Sequence, residues 1–172
     1  SGWQSSRDYT DSGLIPNTFY SYRVIARDSA ATPNNTLYSS ILGAYTYAEV
    51  PPAPSLSAAT GSTMAINVNP GSNPSATVFA IQCLSTSPSD PSWLSKYVNA
   101  SGNPSASAVW QTDSQWGYTT IQGLALSTQY GFRVKARNTD LIETSFGSAA
   151  YATTNECDVS GDCSDGVDCT AD

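Results

Sequence analysis

The sequence has 172 residues, 40% of them hydrophobic and only 12% charged, with a net charge of -7 and no histidine. That is enough apolar material for a core in one or two domains. The acidic balance argues against a nucleic-acid partner, whose backbone is bound through clustered Lys and Arg. The missing histidine removes Ser-His-Asp and Cys-His nucleophile pairs together with the commonest metal ligand. Abundant Ser, Thr, Asn, Gly and Pro suit short strands joined by polar turns, which predicts an all-β chain. No apolar run approaches the ~18 residues of a membrane span. With neither initiator Met nor signal peptide, the sequence reads as a segment of a longer, processed chain.

Residues 1–50 offer an approach strand over 3–9, a turn, a strand over 20–26, a loop through Pro33 and Asn34, and a last strand near 42–47. Tyr20, Tyr22, Val24 and Ala26 alternate with polar residues, the period of a half-buried strand. Much of the stretch 9–28 recurs 110 positions later, where Tyr130, Phe132, Val134 and Ala136 keep the same alternation. Between the copies, residues 49–54 (Glu-Val-Pro-Pro-Ala-Pro) read as a semi-rigid extended linker. Further strands follow at 56–59, 64–68, 77–83, 118–122 and 149–153, with an unusually long excursion over 84–109 of the kind that often forms interaction surfaces. The tail over 155–172 changes character, carrying Cys157, Cys163 and Cys169 at six-residue steps among aspartates, with too few apolar residues to fold by burial.

The spacing Leu14-x-Pro16-x-Thr18-x-Tyr20, answered by Leu124-x-x-x-Thr128-x-Tyr130, resembles the tyrosine corner of fibronectin type III domains. In that corner Leu plugs the core and Tyr bonds back to the corner backbone. Residues 9–26 look like the E strand, corner and F strand of bacterial members of the family. In the second copy Leu126 and Ser127 replace the Pro and Asn, and strand B carries Met64, Ile66 and Val68 without the Trp many members bury there. The resemblance implies tandem immunoglobulin-like β-sandwiches. Residues 1–50 supply only strands E, F and G of one module, 51–154 a complete module with a long C to E excursion, and 155–172 an irregular, disulfide-rich tail. Three strands leave Tyr20, Tyr22 and Val24 bare, so upstream residues of the same polypeptide or strands of a neighbouring chain must complete the first module. The run 162–172 resembles Cys- and Asp-rich repeats of extracellular matrix and bacterial surface proteins.

Cys83, Cys157, Cys163 and Cys169 read as disulfide cysteines, which places the chain in an oxidising, extracellular or cell-surface compartment. A Cys83–Cys157 bridge beside Cys163–Cys169 is one of three connectivities, and a partner beyond Asp172 is equally admissible. A thiolate zinc site fits the six-residue steps poorly. Asp158, Asp162 and Asp165 are weak calcium candidates, because Cys163 stands where a calcium loop needs Gly and Cys169 where it needs a bidentate Glu. No cofactor is otherwise expected. Five of the seven cations, Arg23, Arg27, Arg133, Lys135 and Arg137, fall on the outward face of the two F-like strands. They are either a charged face that discourages edge pairing or a docking strip for an acidic partner. Trp93, Trp110, Trp116 and Tyr97 either stack on sugar rings or cap a sandwich end. Asn34 and Asn99 satisfy the N-glycosylation pattern.

No activated constellation is visible, so the expected function is non-catalytic. The chain reads as a structural or adhesive module of a secreted bacterial surface protein, the repeating subunit of an extracellular fibre, partnered by copies of itself or adjoining modules and by glycans. The alternative is an accessory or spacer module of a secreted polysaccharide-degrading enzyme with weak carbohydrate binding.

Overall fold

A computed structural model describes residues 2–57 and 59–156. The chain is built from short strands: β1 (Phe19–Tyr22), β2 (Leu42–Tyr45), β3 (Ser55–Ser57), β4 (Met64–Asn67), β5 (Val78–Ser87), β6 (Tyr97–Val98), β7 (Pro104–Ser105), β8 (Gln111–Thr112), β9 (Tyr118–Ile121), β10 (Gln129–Arg137) and β11 (Ala150–Thr153), with one helical turn, α1 (Asp113–Trp116). From β3 onward they form a sandwich. One sheet runs β3-β4-β9 and the other β11-β10-β5-β6-β7, with β8 added to β5. Strands A, B and E thus face strands G, F and C, the all-β arrangement the sequence predicts.

Alternation builds the core. Met64 and Ile66 of β4 and Ile121 of β9 face Phe79, Ile81 and Cys83 of β5 and Tyr130, Phe132, Val134 and Ala136 of β10, all buried. Strand β5 is longer than expected, because beyond Cys83 it keeps pairing with β10 across a register shift, Gly131↔Ser85 and Phe132↔Cys83, to reach Ser87 opposite Gln129. The extra residue is a β-bulge at Leu84. Cys83 therefore sits within the strand rather than at its end. Inside the long excursion two short strands extend the sheet, and Trp93 is wholly buried with its indole N–H donating to Gly123 O at 3.2 Å. Helix α1 is capped by Thr112, whose hydroxyl accepts from Gln115 N–H while Gln115 Oε1 accepts from Thr112 N–H at 2.9 Å. The turn aims Trp116 inward to donate to Phe79 O at 2.9 Å. Trp93 and Trp116 thus take the capping role, not the sugar-stacking one.

Residues 1–50 behave differently. Only β1 and β2 pair, from Phe19↔Tyr45 to Tyr22↔Leu42, although ladder-like bonds continue from Val24 and Ala26 to Ser39 and Thr36. The strand expected over 3–9 is not formed. In the second copy β9, which answers residues 8–11, bonds only to β4, and among the described residues up to Val50 there is no strand equivalent to β4 to join.

Both tyrosine corners are present and share three equivalent hydrogen bonds. Tyr20 Oη accepts from Ile15 N–H at 3.1 Å, and Tyr130 Oη from Ala125 N–H at 2.8 Å. A threonine just past the last strand closes each turn, with Thr46 Oγ1 donating to Ile15 O at 2.6 Å and Thr154 Oγ1 to Ala125 O at 2.6 Å. The same hydroxyls accept from Thr18 and Thr128 N–H, each at 3.0 Å. Leu124 is buried as the plug, while Leu14 is half-buried. The copies differ in what the phenol donates to. Tyr130 donates to the buried Asp90 carboxylate at 2.5 Å, and that carboxylate also accepts from Ser92 N–H.

Tyr130→Phe removes the donor to a buried carboxylate as well as the corner acceptor, so it should destabilise residues 51–154 by about 1.5–3 kcal/mol. Tyr20→Phe should cost at most ~1 kcal/mol, and Leu124→Ala ~2–5 kcal/mol by leaving a cavity. Urea unfolding of the three variants checks the order; equal losses at the two tyrosines would contradict it.

Candidate functional site

The two copies meet end to end, and the contact is built from amides. Asn17 lies at the tip of the first corner with φ +43°, a left-handed conformation that Asn tolerates better than most residues. That conformation throws its side chain onto the second copy. Its Nδ2 donates to buried Thr77 Oγ1 at 3.0 Å, and its Oδ1 accepts from Thr139 N–H at 2.8 Å and Thr139 Oγ1 at 3.0 Å. Asn138 answers in the opposite direction: Nδ2 donates to Thr46 O at 3.1 Å while Oδ1 accepts from Ile142 N–H at 2.8 Å. Both asparagines are buried.

The linker is fastened as well. Asn73 bonds Glu49 at two points, accepting from its N–H at 2.7 Å and donating to its carbonyl at 3.0 Å, much as a neighbouring strand does. The Glu49 carboxylate takes the N–H and hydroxyl of Ser72, and these bonds hold its pKa below the ordinary glutamate value. Ala48 packs into the core of the second copy. Pro51 runs so close to Gly147 that a Cβ there would stand 1.9 Å from Pro51 O, so only glycine allows this passage. The structure shows the linker docked along residues 48–51.

The five cations of the proposed docking strip lie on the outer sheet faces, each against an aromatic ring. Arg133 Cζ is 4.0 Å from the Phe146 centroid and Arg137 Cζ 4.4 Å from that of Trp110. Lys135 lies between Tyr97, Trp110 and Phe146 at 5.2–5.6 Å and pairs with Glu143. The first copy repeats the pattern with Arg23 over Tyr38 at 3.9 Å and Arg27 over Trp3 at 4.3 Å. Such contacts are worth about 0.5–2 kcal/mol each, more as the cation loses water. The ladder also seals the sheet, for Ala80 opposite Lys135 is fully buried.

The remaining predicted site residues are dispersed. Asn34 is exposed and its Nδ2 donates to Asp28 at 3.0 Å; Asn99 uses Oδ1 to accept from Ser101 and Asn103 N–H. Cys83 is fully buried, its thiol directed at Ser85 O at 3.6 Å. Cys157, Cys163 and Cys169, and with them Asp158, Asp162 and Asp165, lie outside the described residues. Among the described residues no group of three acidic or cysteine side chains converges on a metal position, and no helix is long and apolar enough to cross a membrane. The amide joint is the feature sequence reasoning missed. Its signal lay in the positions where the copies diverge: Asn17 against Ser127, Asn138 against Asp28, Gly147 against Ser39.

No family model matches the chain. No curated protein matches it. Among solved structures it is similar to the fibronectin type-III domain of human fibronectin type III domain containing protein 3, at 19% identity and TM-score 0.42 over 67% of this chain and 92% of that one. It is also similar to the chicken CNTN1 FN1-FN3 domains, at 18% identity and TM-score 0.43 over 86% of this chain, which spans 46% of the chicken one. A third similar structure is the rat CD45 extracellular region, domains d3-d4, at 16% identity and TM-score 0.42 over 90% of this chain and 72% of that one.

Two outcomes follow from these contacts. Asn17→Ser keeps a residue proven at the equivalent corner, Ser127, yet strips the bonds to Thr77 and Thr139. Each buried group left unpaired costs about 1–3 kcal/mol. The distance distribution between spin labels on the two copies should broaden while the melting of residues 51–154 changes little. Separately, burial pushes the Cys83 thiol from 9.0 up to about 12 and raises Tyr130 as well. Folding then retains protons the unfolded chain has released, so stability is complete below pH ~9 and falls as pH rises towards 12. Cys83→Ser should flatten that alkaline decline, read by denaturant titration at stepped pH.

Proposed function

We propose that the chain is a non-catalytic structural module of an extracellular surface protein, whose task is to hold successive β-sandwich units at a fixed spacing and orientation, as in a fibre or adhesive stalk. The amide joint carries this reading. Asn17, Asn138 and Asn73 pin the first corner and the linker to the second copy with buried hydrogen bonds, and Gly147 accommodates the close passage of Pro51. A catalytic domain has no need of such a joint, whereas a spacer has little else to offer. The groups with chemical potential are committed to structure: the Cys83 thiol to the core, the Asp90 carboxylate to the corner tyrosine, and the cations to aromatic faces. Three further cysteines in the tail support an oxidising location.

The test is mechanical. Small-angle scattering of the chain should fit a single narrow arrangement of the two copies, and Gly147→Ala should widen it by displacing Pro51. Electron microscopy of the natural assembly should then show units repeating at the module spacing. Copies that tumble independently in the unaltered chain would remove the basis for a spacer.

A further inference from the structure

The three-stranded sheet of the second copy holds a shallow cleft of about 370 Å³ where the linker enters it. In the row that forms its floor, Ser55, Asn67 and Tyr118 stand opposite one another across β3, β4 and β9. Directly opposed residues point to the same side of a sheet. Leu56 and Ile66 take the core side, so this row lies on the outer face. Ala53 and Pro54 form one wall, Asn69 and Pro70 the other, and Asp113 of α1 completes the lining. Docking of the linker fixes the two walls against each other. Beside Pro70, Gly71 has φ +60° and lies so near Pro52 that a Cβ there would stand 3.2 Å from its Cδ, while Ser72 N–H holds the Glu49 carboxylate at 3.0 Å.

The cleft is distinguished by polar capacity left unused. Elsewhere in the second copy such side chains are committed: Asn73 to Glu49 O, Asn138 to Thr46 O, Asp90 to Tyr130 and Gln82 to Arg133. Among the described residues, the Ser55 hydroxyl, the Asn67 amide and the Asp113 carboxylate bond no other group, and Asn69 uses only its Oδ1, which accepts from Gly71 N–H at 3.1 Å. We infer that this cleft binds a neutral sugar unit, with Asp113, Asn67 and Ser55 as the groups that hydrogen-bond its hydroxyls.

The mixture of donors and acceptors selects the ligand. An ammonium or guanidinium group satisfies Asp113 but accepts nothing, so the amide N–H groups of Asn67 and Asn69 stay unpaired beside it. An anion, acidic sugars included, meets the Asp113 carboxylate and a net charge of -7. A sugar hydroxyl both donates and accepts, so neighbouring hydroxyls can donate to the two Asp113 oxygens in charge-assisted bonds while accepting from Asn67 Nδ2. Pro54 and Pro70 offer apolar walls to the C–H face of the ring. Tyr118, 78% exposed next to Asn67, offers an aromatic face to a second unit. The volume lies at the small end of ligand sites, roughly 300–1,000 Å³, which suits one or two sugar units. This surface is separate from Tyr97 and Trp110, whose rings cover Lys135 and Arg137 on the other sheet. A module can bind sugar here whether or not it also serves as a spacer.

Amide NMR spectra of the isotope-labelled chain are followed during titration with mannotriose, galactotriose and cellotriose. Mannotriose stands for a glycan chain and cellotriose for a structural polysaccharide; galacturonic acid and a lysine amide are the charged comparisons. At least one neutral trisaccharide should shift the amides of Ser55, Asn67, Asn69 and Asp113, with a Kd on the order of 1 mM. Asp113→Ala and Asn67→Ala should each weaken that binding roughly tenfold with melting unchanged, since neither side chain bonds the rest of the fold. Failure of all three trisaccharides to shift the cleft amides overturns the proposal. So do shifts centred on Tyr97 and Trp110, tighter binding of either charged probe, or binding that both substitutions leave intact.

Discussion

A strand that leaves one sheet of a sandwich for the other must turn across its end, and the turn strands backbone donors that the core cannot hydrate. One phenol resolves this in each copy: Tyr20 for Ile15 N–H and Tyr130 for Ala125 N–H. The rest of the architecture follows from that fixed point. The tyrosine lies two residues after a threonine whose N–H is closed from the end of the last strand, through Thr46 or Thr154, so the corner locks F and G together before any sheet is laid over them. This explains why β1 and β2 keep the register of β10 and β11 although their inner face is bare. The corner is a local device, closed by residues within 31 positions of one another, and the sandwich above it is not.

The same corner serves a second purpose at the joint. Its tip must adopt a left-handed conformation in both copies, with φ +43° at Asn17 and +45° at Ser127. Asn tolerates this conformation and carries its donor and acceptor on separate atoms of a planar amide, which reaches further than a hydroxyl. The geometry that ends one module therefore also presents a two-way hydrogen-bonding group to the next, and Thr77 and Thr139 are placed to use both halves of it. Serine at 127 completes the turn without making that reach.

The strands of the second copy were legible because each obeys period two, and the corners because Leu, Thr and Tyr recur at fixed spacing. Helix α1 and the paired strands β6 and β7 were not, since elements of two to four residues carry too little pattern; tertiary contacts such as Trp116 to Phe79 O determine them. The extension of β5 past Cys83 depended on a bulge that breaks the alternation. The expected strand over 3–9 is also absent: Ser5 and Arg7 interrupt the apolar alternation between Trp3 and Tyr9, and a strand needs a neighbour to bond. Aromatic residues near the excursion divided in a way composition cannot foresee, Trp93 and Trp116 entering the core while Trp110 and Tyr97 covered cations.

The joint also limits how copies of this chain can add to one another. Its receptor, formed by Thr77 and Thr139, is already filled by Asn17 of the same polypeptide, Asn138 is engaged by Thr46 O, and a linker bonded at Glu49 keeps these occupants at high effective concentration. A second molecule competing for the receptor meets an intramolecular rival, and the corner it has to offer at its far end carries Ser127, which lacks the amide. Head-to-tail growth through this contact is therefore disfavoured twice, by occupancy and by chemistry. Any assembly of whole chains draws on other surfaces, and beside β1 and β2 the first copy leaves an apolar face open, with Val24 and Leu42 at 70% and 79% exposure. The amide joint orders modules within the polypeptide; covering that face decides whether the first of them is a folded unit at all.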